Sequence, residues 1–294
     1  MERGTFFPNL LSTATKQKAE RLILGLSIFS FIIHLFLIYA LDFGWIKWAH
    51  TSSLLKNPIS AIYTPFSFIL LYEVYLTLYY LPKSFTTYIG KQYEIISLII
   101  IRRLFKDLSN LELSSNWFAI KDDLQFTYDL TASLLLFFLI FLFQRQSQKV
   151  GNSLSDLSEL SGDVKKFIQL KKKIGFALVP IFLVLAFYTF FGWAMHSFYD
   201  SNLYVGFKDI NNIFFDEFFT ILIVVDVLLL LLSFYHTDEF HKVIRNSGFI
   251  ISTILIRLSF SVDGLTNTVL IVAAVLFGLF IIAIHNLFET RLSK

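Results

Sequence analysis

Cysteine is absent from this chain of 294 residues, and only 16% of its residues are charged. Without a thiol the chain can form no disulfide, no iron–sulfur cluster and no thiolate zinc site. Average soluble domains carry about a quarter charged residues, so the low charge argues against a soluble domain. In their place, 55% of the residues are hydrophobic and 35 are phenylalanine. Apolar runs of about 20 residues, long enough to cross a hydrocarbon core, recur along the chain and predict an integral membrane protein.

Short catalytic and metal-binding motifs are also missing. The six histidines form no His-Glu-x-x-His pair, and the chain has no nucleophile motif, Walker loop or glycine-rich phosphate cradle. We therefore predict that the protein is not an enzyme and holds no metal and no cofactor. No aromatic stacking platform accompanies the basic residues, which argues against binding of nucleic acid.

The apolar runs predict an all-α, polytopic membrane protein with about eight transmembrane helices. The runs cover roughly residues 22–41, 61–82, 91–107, 126–144, 174–195, 214–235, 246–262 and 265–287. The third and seventh are short and contain arginine, so a six-span arrangement stays an alternative. With eight spans, 17 basic residues fall on the side of both termini and five on the other side. This bias obeys the positive-inside rule and places both termini in the cytoplasm.

A basic linker, residues 151–173, separates the fourth and fifth spans. Its leucines recur at helical spacing, which predicts an amphipathic helix. On an anionic leaflet each basic residue contributes ~1 kcal/mol to binding. The lysines predicted to contact lipid are Lys165, Lys166, Lys171, Lys172 and Lys173. The alternative is an ordinary solvated linker whose lysines only set the topology.

The chain contains a duplicated unit. The pattern Ile-Ser-x-Ile-x-Ile-Arg-x-x-Phe occurs at residues 96–105 and again at residues 251–260. Upstream of both lie an acidic residue followed by valine and a Phe-Gly-Trp segment followed by histidine. These anchors are Glu73 and Asp226, and His50 and His196. Four spans per copy is an even number, which predicts parallel rather than inverted repeats. The predicted division is 1–150, the linker 151–173, and 174–294.

An acidic residue and an arginine fall inside the predicted spans of both copies. In the first copy Glu73 faces the neighbouring pair Arg102 and Arg103, and in the second Asp226 faces Arg257. A rise of ~1.5 Å per residue puts each acid and its arginine about 14–18 Å from the same end of their spans. A lone arginine at the bilayer centre costs ~2.5–3.5 kcal/mol, so we predict a buried ion pair in each copy. The alternative is that these arginines snorkel to the headgroups.

The spacing of these charges resembles the PsiE family of small four-span bacterial inner-membrane proteins. The family pattern has Glu, then Arg after 17 intervening residues, then a second Arg after 11 more intervening residues, followed by Leu. Glu73, Lys91 and Arg103 fit that spacing, with lysine in place of the first arginine. In the second copy His241, Arg245, Arg257 and Leu258 fit the family's His-x-x-x-Arg and Arg-Leu, while Asp226 is displaced by one residue.

The resemblance implies a bacterial inner-membrane location, a cytoplasmic basic turn formed by Lys91, His241 and Arg245, and outer histidines at His50 and His196. It implies no activity, because none is established for the family. Which arginine pairs with Glu73 stays open, since the internal repeat equates Arg257 with Arg102 and the family spacing favours Arg103.

Buried ionisable residues in a membrane protein predict a transporter or channel-like function. The alternatives are a stress-responsive membrane scaffold or signalling protein, and a structural role in which each ion pair fixes helix register. The predicted partners are the lipid bilayer and its anionic lipids. A homo-oligomer is left open by the sequence.

Overall fold

A computed structural model of the chain describes residues 11–46, 58–108, 120–151, 162–199, 207–235, 239–262 and 264–292, together with residues 55 and 111. Over these residues the chain is helical and has no strand, so the predicted all-α fold is confirmed. Eight α-helices lie in the described ranges, one at each predicted span. They are α1 Thr13–Asp42, α2 Tyr63–Tyr80, α3 Phe85–Asp107, α4 Lys121–Gly151, α5 Gly162–Tyr199, α6 Phe207–Phe234, α7 Phe240–Ser259 and α8 Leu265–Leu292. A short 3-10 helix, Pro58–Ile62, precedes α2.

Four stretches of the described helices are long and apolar enough to cross a membrane. They are Thr13–Asp42, Asp123–Gln148, Glu217–Phe234 and Leu265–Arg291. The shorter helices α3 and α7 have 23 and 20 residues, which at ~1.5 Å per residue makes them about 34 and 30 Å long. Both therefore have the length of a span, but both contain charged residues. The arrangement of eight spans stays a prediction.

Local signals in the sequence account for several helix ends. Ser12 caps α1 by accepting a hydrogen bond from the Thr15 amide at 3.2 Å. Beyond the other end of α1, Gly44 adopts a φ of +71°, which favours glycine over residues with a Cβ. Ser84 precedes α3 and accepts from the Thr87 amide at 3.2 Å. These signals place the ends of the helices outside the apolar runs.

The described chain separates into two compact units. The first comprises Met1–Tyr79 and Glu94–Phe137, and the second comprises Tyr80–Tyr93 and Phe138–Lys294. The helices α3 and α4 each contribute a segment to both units. The division predicted from the repeat, at 1–150, 151–173 and 174–294, stays a prediction.

In the first unit, α1 is apolar on most of its surface. Leu22 and Phe29 are 64% and 63% exposed, while the buried residues of α1 are Ser27, Ile38 and Ala40. A helix that presents large apolar side chains all round is suited to a lipid environment. The helices α2 and α3 carry buried side chains of this unit, next to its charged residues.

In the second unit, α5 packs against α6, α6 against α7, and α7 against α8. Its core contains large buried aromatic side chains, among them Tyr93, Phe143 and Phe249. A Cβ added to Gly278 would lie only 1.8 Å from the Tyr93 hydroxyl oxygen. A glycine in α8 is therefore required for the close approach of the Tyr93 ring.

Candidate functional site

The second unit contains a fully buried acid–arginine pair. Asp226 lies on α6 and Arg257 in the last turn of α7, and the arginine Nη1 is 2.7 Å from the Asp226 Oδ2. The side chains are 0% and 2% exposed, so the pair is shielded from the surroundings. At this distance each charge offsets the desolvation cost of the other, and removing one would leave a buried charge without a counter-ion.

Two hydroxyl groups complete the surroundings of the Asp226 carboxylate. Tyr88, on the first turn of α3, donates its hydroxyl to Oδ1 at 2.8 Å. Thr253 lies one turn before Arg257 on α7, and its hydroxyl is 3.4 Å from Oδ2. The spacing of four residues puts Thr253 and Arg257 on the same face of the helix. Asp226 is thus held by groups from two further helices, in an arrangement we call the Asp226 network (Tyr88, Asp226, Thr253 and Arg257).

The first unit contains a looser pair. Glu73 on α2 is 2% exposed, and its Oε2 lies 3.5 Å from the Arg102 Nη2 on α3. Within the described part of the chain, no donor stands in hydrogen-bonding position to either Glu73 oxygen. A buried charged group with unmade hydrogen bonds costs at least about 1–3 kcal/mol. Glu73 therefore retains capacity to bind a positively charged species.

The neighbouring arginine has a different partner. Arg103 binds Asp129 on α4 through two parallel contacts, Nε to Oδ2 and Nη2 to Oδ1, the latter at 2.6 Å. Gln125, one turn earlier on α4, donates to the same Oδ1 at 2.9 Å. Bidentate contacts of this kind are the stronger form of arginine–carboxylate pairing. Arg102 is accordingly the counterpart of Arg257, in agreement with the internal repeat rather than with the PsiE spacing.

The residues of the predicted basic turn lie in different surroundings. The Lys91 ammonium stands over the Tyr80 ring, 5.6 Å from its centroid. Arg245 donates from Nη1 to the Nε2 of His285 at 2.9 Å. The ring of His241 stacks on that of His285, with centroids 5.2 Å apart. His241 and Arg245 therefore meet around a histidine of α8.

The remaining predicted residues are partly outside the described structure. His50 lies outside the described residues, and only the backbone of His196, on α5, is described. Of Lys165, too, only the backbone is described. Lys166, Lys172 and Lys173 are exposed on α5, and their contact with lipid headgroups stays a prediction.

Lys171 differs from the prediction that it contacts lipid. Its side chain is 2% exposed, and its Nζ donates to the Lys83 carbonyl at 2.6 Å. The ammonium also lies over the rings of Phe85 and Phe167, at 4.6 and 5.6 Å from their centroids. Burial lowers the pKa of Lys171 to about 8, partly offset by the charge of Asp226. The cation–π contacts and the carbonyl explain why this lysine turns inward.

Several residues of these clusters were not among the predicted site residues. Asp129 and Tyr88 are partners of predicted charges, while His285 and Glu289 surround His241. Asp129 could have been found as one more acid in an apolar run, and His285 and Glu289 through their spacing of four on one helix face. Tyr88 carried no such signal, because it is one of 13 tyrosines.

No known protein family, curated protein or solved structure matches this chain. The resemblance to the PsiE family therefore stays a prediction that depends on the residues quoted for it.

Proposed function

We propose that this chain is a transporter or channel-like membrane protein through which a cation crosses the bilayer, and that Glu73 binds the cation inside the membrane. The observation that carries the proposal is the state of the Glu73 carboxylate. It is 2% exposed, its nearest arginine nitrogen is 3.5 Å away, and both of its oxygens lack a donor within the described ranges. Intramembrane ionisable residues are costly and commonly mark ion or proton pathways.

The comparison with Asp226 supports this choice. The two acids occupy corresponding places in the repeat, but Asp226 has Arg257 at 2.7 Å and accepts from Tyr88 at 2.8 Å. A carboxylate that is already satisfied gains little from a further cation, whereas Glu73 gains a partner. Divergence of the two copies would leave one pair structural and the other available for binding.

The proposal includes a topology and a location. Eight spans form two parallel four-helix repeats in the bacterial inner membrane, with both termini in the cytoplasm. The bias of 17 basic residues against five supports the orientation. The resemblance of Glu73, Lys91 and Arg103 to the PsiE pattern supports the location.

A flux assay tests the proposal directly. Purified protein in liposomes should pass protons or K⁺ down an imposed gradient, read with a pH-sensitive dye or a potential-sensitive dye. Glu73→Gln should reduce the flux at least tenfold, because the amide cannot carry the negative charge. The matched control is Glu217→Gln, at an exposed position of α6, which should leave the flux unchanged. Equal flux through both variants would exclude Glu73 as the binding group.

A second candidate function is a membrane scaffold or signalling protein without transport. The Asp226 network favours it, because a buried carboxylate with an arginine and two hydroxyl groups around it resembles a device that fixes helix register. In that case liposomes containing the wild-type protein would show no more flux than empty ones.

A further inference from the structure

A cluster of imidazoles and a carboxylate lies where the N-terminal end of α7 meets the C-terminal part of α8. His241 comes from the first turn of α7, and His285 and Glu289 are one turn apart on α8. One ligand atom from each of the three side chains lies within 4.8 Å of the other two. The Nε2 of His285 is 3.2 Å from the Glu289 Oε1. None of these residues takes part in the charge pairs of Glu73 or Asp226.

We propose that His241, His285 and Glu289 form a binding site for a divalent transition-metal ion of the Zn²⁺ type. Zn²⁺ binds imidazole nitrogen and carboxylate oxygen at ~2.0–2.2 Å with tetrahedral geometry, which separates neighbouring ligand atoms by about 3.3 Å. The distance of 3.2 Å between His285 and Glu289 agrees with that separation. Glu289 is 32% exposed, which leaves its carboxylate room to adjust around an ion bound to the two histidines.

His285 is held in place to bind a metal through its Nε2. Its side chain is 1% exposed, and Nε2 faces both the Glu289 Oε1 at 3.2 Å and the Arg245 Nη1 at 2.9 Å. A buried imidazole in a fixed orientation needs little reordering when it binds a metal. A two-histidine, one-carboxylate set selects borderline metals such as Zn²⁺ and Co²⁺ over Mg²⁺, which prefers oxygen ligands.

Glu239 can supply a fourth ligand. Its Oε2 lies 3.4 Å from the His241 Nε2, and the side chain is 55% exposed, at the residue before α7. Lys242 donates a hydrogen bond to the other carboxylate oxygen, Oε1, at 2.7 Å, so Oε2 is the oxygen that lies beside His241. Structural zinc sites hold four protein ligands, so this fourth group would close the coordination.

Arg245 competes with the metal. Its Nη1 is 2.9 Å from the His285 Nε2, and its Nε and Nη2 lie 3.2 and 3.1 Å from the Asn246 Oδ1. A metal on His285 Nε2 must displace that guanidinium group, which retains Asn246 as its partner. Bound metal would then replace the Arg245–His285 hydrogen bond as a link between α7 and α8.

Titration of the tag-free full-length protein in detergent tests the site. Zn²⁺ should bind with one ion per chain by calorimetry, and Co²⁺ should give the visible absorption of a tetrahedral complex, while Mg²⁺ should give neither. His241→Gln and His285→Gln should each weaken Zn²⁺ binding at least tenfold. The matched control is His34→Gln on α1, which should bind Zn²⁺ as the wild type does. Thermal melting without metal checks that each variant is folded.

Arg245→Met gives a result with the opposite sign. Removing the competing guanidinium should raise the affinity for Zn²⁺ at least tenfold, and weaker binding would overturn the placement of the ion against His285. The whole proposal fails if the wild type binds no Zn²⁺ at micromolar concentration, or if His241→Gln and His285→Gln both bind it unchanged. The test does not depend on flux, so its outcome is separate from that of the proposed function.

Discussion

Asp226 and Glu73 stand at matching positions of the repeat, yet their environments differ at the level of single hydrogen bonds. Asp226 accepts from Tyr88 at 2.8 Å and pairs with Arg257 at 2.7 Å. Among the residues that the structure describes, the arginine paired with Glu73 is Arg102, at the longer distance of 3.5 Å. Removing one charge of a close buried pair destabilises a protein, because the other charge is left buried without a counter-ion. The two acids should therefore respond differently to neutralisation.

Asp226→Asn should destabilise the protein by about 3–5 kcal/mol, because the Arg257 guanidinium would remain buried without a counter-ion. The apparent melting temperature of the purified protein in detergent should fall well below that of the wild type. The charge-free double variant Asp226→Asn/Arg257→Met should recover part of the loss, since it removes the stranded charge. An unchanged melting temperature for Asp226→Asn alone would contradict the pairing.

Lys171 provides a pH dependence with a definite sign. Its pKa is about 8 in the folded protein against an ordinary 10.5. Between these values the unfolded chain binds one more proton than the folded chain, so the contribution of Lys171 to folding stability rises with pH. Below about pH 8 both states are protonated and the contribution is flat. The gain across the window is about 3 kcal/mol at most.

The measurement compares wild type with Lys171→Met in detergent unfolding at pH 7.5, 9 and 10. The stability difference between them should shift in favour of the wild type as the pH rises. The matched control, Lys172→Met, removes an exposed neighbouring lysine and should give a difference that does not depend on pH. If the two substitutions behaved alike, burial of the Lys171 ammonium would not be its main energetic feature.

At this scale the sequence located the charges but not all their partners. Asp226 and Arg257 stand out because ionised groups are rare in apolar runs. Tyr88 does not, because its role arises only when α3 reaches α6, and nothing local distinguishes it from other tyrosines. Lys171 is predicted to contact lipid because it belongs to a cluster of lysines in the linker. Its burial depends instead on the position of the Lys83 carbonyl and of two phenylalanine rings.

At the scale of elements, apolar length predicted where helices lie better than where they end. The third span was predicted from residue 91, whereas α3 begins at Phe85, because Ser84 caps the helix there. The fifth was predicted from residue 174, whereas α5 begins at Gly162 and continues the linker lysines into the helix. Helix ends are determined by caps and turn residues, to which hydropathy is insensitive.

The packing of α8 against Tyr93 yields a prediction about one glycine. Gly278→Ala would put a Cβ 1.8 Å from the Tyr93 hydroxyl and 3.2 Å from the Ser252 Oγ. The tyrosine must move and lose its 2.7 Å hydrogen bond to Ser252, so the variant should be destabilised by about 1–3 kcal/mol. This outweighs the gain of up to ~1 kcal/mol that alanine normally brings to a helix.

Melting in detergent checks this prediction against Gly25→Ala, a glycine of α1 whose Cβ would meet nothing within 4 Å. That control should melt at or slightly above the wild-type temperature. Adding Tyr93→Phe to Gly278→Ala should restore much of the stability, because the hydroxyl makes the closest contact. A Gly278→Ala variant as stable as wild type would show that the Tyr93 ring can move away from Gly278 without loss of folding stability.

At the scale of the whole molecule, the number of crossings is the feature on which orientation depends. The helix α7 has 20 residues and is about 30 Å long, so it can cross a bilayer even though it carries Arg257. With the guanidinium paired to Asp226, the main cost of that crossing is offset. In the proposed eight-span arrangement the two ends of α7 lie on opposite sides of the membrane. In the six-span alternative both ends lie on the same side.

Single cysteines distinguish the two arrangements, because the wild-type chain has none and provides an unlabelled background. Lys242→Cys, near the start of α7, and Ser261→Cys, just after its end, are both at accessible positions. A membrane-impermeant thiol reagent applied to intact cells should label Ser261→Cys only, while Lys242→Cys should react only after the cells are opened. Equal labelling of both from one side would exclude eight spans. It would also place Arg257 outside the membrane interior, and the argument for paired charges there would lose its premise.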